Sequence, residues 1–278
     1  MIPFNFEYHK PRELYEAITL FQKLEKEGKD PMYFGGGTEI ITMARLNNVS
    51  TGAVIDIKGI PNCNIHEIKD GLLILGSGLS LRVISEKNAF PLLSKTIKRI
   101  ADHTVQNKIT LGGNLAGTII YHESLLPLLV TDSQVKVAGI NGDRIVPVKE
   151  VFNGKSKLAK GEIIVQIVIE EKHLSLPYIH VKRTKNEKVD YPLVTMVAIK
   201  SNNKIHMAFS GLCDYPLRSI EMEDALSMKA PRKDRINQTI EKLPNKILNN
   251  LDGSSEYRRF VLQNMLDQTL CNFKEEEE

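Results

Sequence analysis

Residues 31–46 read PMYFGGGTEIITMARL, and this stretch decides the fold that we expect. A short apolar run, residues 31–34, leads directly into three consecutive glycines at 35–37. A helical pattern follows over residues 39–46, and a strand-like run comes next at residues 53–57. Because glycine has no side chain, such a turn lets the backbone come close to another group. The order strand, glycines, helix, strand is typical of a small α/β unit.

A second glycine cluster, Thr110-Leu111-Gly112-Gly113-Asn114, lies in the middle of the chain. Glycine-rich turns let main-chain N–H groups point at phosphate oxygens without side chains in the way. Neither cluster is a named nucleotide motif, since the third glycine of GxGxxG is missing after Gly37 and no P-loop lysine follows Gly113. Each cluster has a neighbouring threonine, so the pair favours diphosphate binding, with tight turns as the alternative interpretation.

Apolar periodicity and turn residues predict the other elements of the chain. The pattern of apolar and turn residues changes after about residue 172, so we expect a domain boundary near Glu171. Helices are predicted at residues 11–27, 81–86, 97–103, 222–228, 232–242 and 256–273. Strands are predicted at 72–78, 163–169, 178–183, 194–200 and 204–210, with a hairpin of 135–140 and 144–148 around Asn141-Gly142.

Composition excludes several classes of function. The chain has 278 residues, 42% hydrophobic and 26% charged, with a net charge of +3, so no strong field attracts it to nucleic acid or anionic lipid. Its longest apolar run, residues 125–130, is interrupted by Pro127 and is too short to span a bilayer. No secretion signal is recognisable at the N-terminus. We therefore expect a cytoplasmic protein with no membrane span and no nucleic-acid partner.

The three cysteines predict no metal centre on this chain. Cys63, Cys213 and Cys271 are too far apart for a disulfide framework, a zinc motif or an iron–sulfur motif. The histidines are scattered, and His122-Glu123 has no second histidine at the HExxH spacing. Any metal in the chemistry of this protein is thus expected on a partner chain.

At its two loops the sequence resembles the FAD-binding (medium) subunit of molybdenum hydroxylases, the family of xanthine, carbon monoxide and nicotinate dehydrogenases. The family's loops read roughly A-G-G-T-D-L and T-I-G-G-N, and its C-terminal motif G-S-A-E-Y-R-R is similar to residues 253–259 here. The resemblance implies an α+β fold: an FAD-binding PCMH-type domain at 1–171, with two α/β subdomains at about 1–58 and 59–171. A C-terminal domain of antiparallel strands and helices would follow at 172–274, and then an acidic tail at 275–278.

The resemblance also implies the residues that contact the cofactor, with none that is catalytic or binds a metal. The loops would hold the pyrophosphate, a small residue and an aromatic ring would lie near the flavin, and an acid and a lysine would complete the site. The implied set is Tyr33, Phe34, Gly35, Gly36, Gly37, Thr38, Glu39, Ile40, Ala101, Thr110, Leu111, Gly112, Gly113, Asn114, Glu123, Ile164, Lys182 and Tyr191.

Two positions depart from the family pattern. The family usually has Asp where this chain has Glu123, and often Lys where it has Ile179. Lys182 and Arg183 lie three and four residues further on, either as substitutes for that lysine or as solvated charges. The implied function is a flavoprotein oxidoreductase subunit that passes electrons from a [2Fe-2S] subunit through FAD to NAD or another acceptor. The iron–sulfur and molybdopterin subunits would be its partners in a heterotrimer or its dimer. The alternatives are an assembly subunit with weakened FAD binding and a stand-alone flavin oxidase.

Overall fold

The computed structural model describes residues 1–186 and 190–274; the predicted acidic tail at 275–278 lies outside them. The helices are α1 (Leu14–Lys26), α2 (Thr38–Arg45), α3 (Leu81–Lys87), α4 (Pro91–Ile97), α5 (His103–Gln106), α6 (Leu111–Ala116), α7 (Leu125–Val130), α8 (Val148–Val151), α9 (Ile220–Ser227), α10 (Arg232–Glu241) and α11 (Ser255–Asn272). The strands are β1 (Glu7–His9), β2 (Met32–Phe34), β3 (Ala53–Asp56), β4 (His66–Lys69), β5 (Leu72–Gly76), β6 (Gln134–Gly139), β7 (Gly142–Pro147), β8 (Phe152–Asn153), β9 (Lys155–Ser156), β10 (Ile163–Glu170), β11 (Tyr178–Thr184), β12 (Pro192–Ser201) and β13 (Lys204–Ser210).

The chain divides into two compact units, and neither is continuous in sequence. The first consists of residues 1–89, 103–117 and 133–171. The second consists of residues 90–102 and 118–132 and the described residues after 171, which are 172–186 and 190–274. The chain therefore leaves the first unit twice before Glu171, once on each side of the second glycine cluster.

The first unit contains a parallel sheet and an antiparallel sheet. The parallel sheet has the order β1-β3-β2, and the antiparallel sheet has the order β4-β5-β10-β6-β7. One apolar cluster joins them, because Ile18 and Phe21 of α1 pack with Ile55 of β3 and Val165 of β10. The predicted strand–glycine–helix–strand order and the predicted hairpin are both confirmed here.

The second unit is an antiparallel sheet, β11-β12-β13, covered by helices. Central strand β12 is buried over its first eight residues, all of which are apolar except Thr195. Met222, Leu226, Leu262 and Leu266, from α9 and α11, pack into its core. The predicted mixed α+β class, with antiparallel strands and helices after residue 172, is confirmed.

The packing of α11 on this sheet explains the second-to-last residue of the C-terminal motif. Arg258 is fully buried on α11 and donates to the backbone carbonyls of Leu193 and Gly211 and to Asn250 Oδ1. The five donors of a planar guanidinium can satisfy several such acceptors at once. The motif is therefore a structural clamp between α11 and the sheet of the second unit.

The helix predicted at residues 97–103 is wrong. A helix instead begins six residues earlier at Pro91 and ends at Ile97. Proline is tolerated at the first position of a helix, because the N–H that it lacks would have no intrahelical partner there. Ala101 then adopts the left-handed conformation, with φ of 52°, which interrupts any helix before α5 begins at His103. Ile97, the last residue of the helix, and Ile100, in the turn before Ala101, are both buried, so their helical spacing reflects burial and not a continuing helix.

Candidate functional site

The first glycine cluster connects β2 to α2 and leaves the amino end of that helix uncapped. Gly37 is the N-cap residue, with φ of 69°; because it is a glycine, it has no side chain to cap the first-turn N–H groups of α2, and in this sense the helix start is uncapped. The ring of Phe34 occupies the space that a Cβ on Gly37 would need, so only glycine fits there. An uncapped helix start directs N–H groups and a partial positive charge outward, which suits an anion.

The second glycine cluster, by contrast, is capped by its own side chain. Thr110 Oγ1 accepts from the N–H of Gly113 at 3.2 Å. The N–H groups of Leu111 and Gly112 donate to the carbonyls of Leu79 and Ser77, at 2.9 and 2.8 Å. These bonds fix the loop against residues 77–81 of the same unit and bury Leu111 completely.

Gly35 and Gly36 are required because the first loop packs directly on residues 108–110, where the second loop begins. A Cβ on Gly36 would overlap the carbonyl of Lys108, and one on Gly35 would overlap the hydroxyl of Thr110. A Cβ on Gly117, just after α6, would likewise overlap the carboxylate of Glu39. The two predicted loops thus form a single cradle within the first unit, with the uncapped start of α2 in it. These residues fit a bound diphosphate.

Lys58, which the sequence did not predict, holds the first loop. Its Nζ lies 2.7 Å from the carbonyl oxygen of Gly35, 2.8 Å from Asp56 Oδ1 and 4.8 Å from the centre of the Phe34 ring. The hydroxyl of Tyr8 donates to the other oxygen of Asp56. A lysine two residues after a buried strand looks like any surface charge, so no pattern in the sequence distinguishes it.

Tyr33 and Ile164, both predicted cofactor contacts, have side chains committed to the interior of the first unit. The Tyr33 ring stacks on Phe21 at 5.0 Å, and its hydroxyl donates to the carbonyl of Gly161. Burial raises the pKa of Tyr33 well above its usual range. Ile164 is buried at a β-bulge of β10. The side chains of both residues are therefore committed to the interior, and cofactor contacts through their backbone stay a prediction.

The second unit brings together Glu123 and Lys182. The carboxylate of Glu123 accepts from Lys182 Nζ at 2.8 Å and from Thr195 Oγ1 at 2.7 Å, and the side chains of both ionic partners are at most 5% exposed. Burial raises the pKa of Glu123, and the charge and hydrogen bond of Lys182 oppose that rise. Lys182 also donates to the carbonyl of Arg99. The pair thus links the segment just before α7 to β11 in the interior of the second unit.

The other predicted residues of the second unit have different surroundings. Tyr191 is 56% exposed and stacks on Tyr121, with ring centres 4.9 Å apart. Ala101 is half-buried in its left-handed turn. Ile179, which replaces the family's lysine, is buried in the core opposite Ala198 of β12. Cofactor contacts from Ala101, Glu123, Lys182 and Tyr191 stay predictions.

Comparison with known proteins defines the family. A family model described as the FAD-binding domain in molybdopterin dehydrogenase matches residues 4–170. The glyceraldehyde dehydrogenase medium chain of Sulfolobus acidocaldarius is 26% identical over 99% of both chains. The carbon monoxide dehydrogenase medium chain of Hydrogenophaga pseudoflava is 29% identical over 60% of this chain and 59% of its own length.

Solved structures show the same fold. Carbon monoxide dehydrogenase from Hydrogenophaga pseudoflava, in a form that lacks the Mo-pyranopterin moiety of its cofactor, superposes with a TM-score of 0.83 at 25% identity over 96% of each chain. Quinoline 2-oxidoreductase from Pseudomonas putida 86 also gives 0.83, at 19% identity over 98% of this chain and 97% of the other.

The chain belongs to the family of FAD-binding domains in molybdopterin dehydrogenases. It is an FAD-binding medium subunit of the molybdenum hydroxylase type, and hence a subunit of a flavoprotein oxidoreductase. In the described residues, no group of three or more His, Cys, Asp or Glu side chains could hold a metal ion. Within the same residues, no helix has both the length and the apolar character that crossing a bilayer requires.

Proposed function

We propose that this chain carries FAD as the electron relay of a cytoplasmic molybdenum hydroxylase complex. A [2Fe-2S] subunit would supply the electrons, and NAD or another soluble acceptor would receive them. A third subunit would hold the molybdenum cofactor, in a heterotrimer or its dimer. FAD, when bound, supplies the one-electron and hydride chemistry that such a relay needs. The residues of this chain bind and orient it.

The observation that carries the proposal is the cradle in the first unit. The uncapped start of α2 offers N–H groups and a partial positive charge to the diphosphate, and the capped second loop packs against the first loop and holds it in place. The contact between Gly36 and the carbonyl of Lys108 sets the distance between the loops. Electron transfer needs no acid or base from this chain, which agrees with the absence of a predicted catalytic residue.

Titration with FAD tests this function. The chain freed of flavin should take up one FAD per chain, with the visible absorption of bound flavin. Gly36→Ala should lower the affinity for FAD by at least about tenfold, because a backbone carbonyl cannot yield to the added methyl group. Gly28→Asn is the matched control, since Gly28 has φ of 73° and nothing within 4 Å of its Cβ position.

A wild-type chain that takes up no FAD would contradict the proposal. One observation favours a second candidate, an assembly subunit with weakened FAD binding: both oxygens of Glu123 are already bonded to Lys182 and Thr195. Equal electron-transfer rates in complexes assembled from wild-type and Gly36→Ala chains, at equally low flavin content, would establish that candidate instead.

A further inference from the structure

Lys58 occupies a position in the first unit that the electron-relay function does not by itself explain. Its Nζ is bonded to a loop carbonyl, that of Gly35, and to the carboxylate of Asp56, and it lies over the ring of Phe34. The side chain is nevertheless 39% exposed. A lysine held by three groups beside an anion cradle is neither a free surface charge nor a core residue.

The bond to Gly35 has a geometric consequence for the next residue. In a planar trans peptide unit the C=O and N–H groups point in opposite directions. Holding the carbonyl of Gly35 toward Lys58 therefore directs the N–H of Gly36 away from Lys58. Gly36 lies between Gly35 and the uncapped start of α2, so its N–H orientation bears on what the cradle offers to an anion.

Asp56 keeps Lys58 in place. Its carboxylate is almost completely buried at the end of β3 and accepts from Lys58 Nζ, from the backbone N–H of Lys58 at 2.9 Å and from the hydroxyl of Tyr8. Burial alone would raise the pKa of Asp56, but these hydrogen bonds hold it below its usual value. The carboxylate is thus ionised at neutral pH and fixes the ammonium group opposite the loop.

We propose that Lys58 is a positioning residue for the diphosphate of FAD, acting through the Gly35–Gly36 peptide. Lys58 holds the Gly35 carbonyl, and this sets the orientation of the Gly36 N–H that faces the bound diphosphate. The proposal rests on the FAD-binding function proposed above. It adds a residue outside both glycine loops to the set that determines affinity for the cofactor.

The test compares Lys58→Met, Lys58→Arg and the control Lys69→Met in the full chain, with FAD and ADP as ligands. Lys69 is an exposed residue of β4. Binding is measured under solution conditions in which urea titration shows that each protein is fully folded. Lys58→Met should weaken FAD and ADP by the same factor, about tenfold, which is what one charge-assisted hydrogen bond is worth. Lys58→Arg should stay within about threefold of wild type, since the guanidinium can still donate to Gly35.

The salt dependence separates positioning from direct contact with phosphate. A positioning role predicts the same slope of log Kd against log salt concentration in wild type and Lys58→Met. A clearly shallower slope in Lys58→Met would overturn the proposal, because it would mean that the charge itself binds the phosphate. Unchanged FAD affinity in Lys58→Met, or no rescue by Lys58→Arg, would also overturn it and leave the FAD-binding function intact. Failure of the wild-type chain to bind either ligand would contradict both.

Discussion

Single residues of the second unit show how a buried charge can be built into this family's fold. Glu123 and Lys182 come from distant parts of the chain and are both withdrawn from water. Desolvation of two charges is costly, and their attraction offsets it only when the hydrogen bonds are complete. Here the second carboxylate oxygen is bonded to Thr195, so Glu123 has a partner for each oxygen. The pair is stable as a unit, and neither member is expected to tolerate loss of the other.

Lys182→Met should therefore destabilise the chain strongly. Removing the ammonium group leaves a buried carboxylate without its ionic partner, which costs about 3–5 kcal/mol. The double variant Glu123→Gln with Lys182→Met should recover much of that loss, because no charge then remains buried. Urea unfolding of both variants measures the free energies.

Lys246→Met, at an exposed position of the second unit, is the control and should change the free energy of unfolding by no more than about 0.5 kcal/mol. A single Lys182→Met variant as stable as wild type would mean that Glu123 is protonated in the folded chain. The same variants, titrated with FAD, also test the predicted cofactor contacts of Glu123 and Lys182.

Between elements, a buried carboxylate ties α9 to β13. Glu223 of α9 is completely buried and accepts from the backbone N–H of Met207 at 3.1 Å and from Arg218 Nε at 2.7 Å, and its other oxygen lies 2.9 Å from His206 Nδ1. Arg218 in turn pairs with Asp132. Burial would raise the pKa of Glu223, but the hydrogen bonds of His206 and Arg218 lower it below its usual value.

The second unit should consequently lose stability in acid. A carboxyl whose pKa is lower in the folded than in the unfolded chain stabilises the fold above the unfolded pKa, about 4.3, and loses that contribution as the pH falls through the folded value. The free energy of unfolding should therefore fall between pH 5 and pH 3. In Glu223→Gln this fall in the free energy of unfolding should be smaller, because residue 223 then no longer titrates. Identical pH profiles of the two proteins, from urea titrations, would contradict this assignment.

The elements were predictable where local signals are strong. Gly37 after an apolar strand and Gly142 in the predicted hairpin turn are strong local signals, because both adopt a positive φ that few other residues tolerate. The turn around Ala101 was not predictable, since alanine rarely adopts a positive φ and its neighbours repeat at helical spacing. Lys58 escaped prediction for a different reason: its partner is a backbone carbonyl 23 residues away, and a main-chain acceptor has no sequence signature.

For the whole molecule, the division of the chain decides which pieces can fold. Residues 172–274 contain the sheet and most of the helices of the second unit, but α4 and α7 reach that unit from earlier parts of the chain. Every residue of α7 is buried, and α7 packs on β12 and β13. A boundary drawn at Glu171 on the sequence therefore separates the second unit from part of its own core.

A fragment of residues 172–274 should not fold cooperatively. Without α7 its sheet would expose a large apolar face, and the burial of the α7 leucines, about 1.5–3 kcal/mol each, would be lost. The control is the full chain cut by a protease at a site inserted after Glu171, which retains every segment and should keep a cooperative transition. Near-ultraviolet circular dichroism during urea unfolding distinguishes the two, and a sharp transition in the isolated fragment would refute the prediction.

The same division has a consequence for folding while the chain is being synthesised. A ribosome releases α7 well before it has synthesised β12 and β13, the strands on which α7 packs. At about 5–20 residues per second, the interval between Val130 and Ser210 lasts roughly 4–16 s. During that time six consecutive apolar or proline side chains have no native surface to cover them. The nascent chain must keep this segment from aggregating, so the yield of folded subunit should depend on the speed of translation and on chaperones that hold apolar segments.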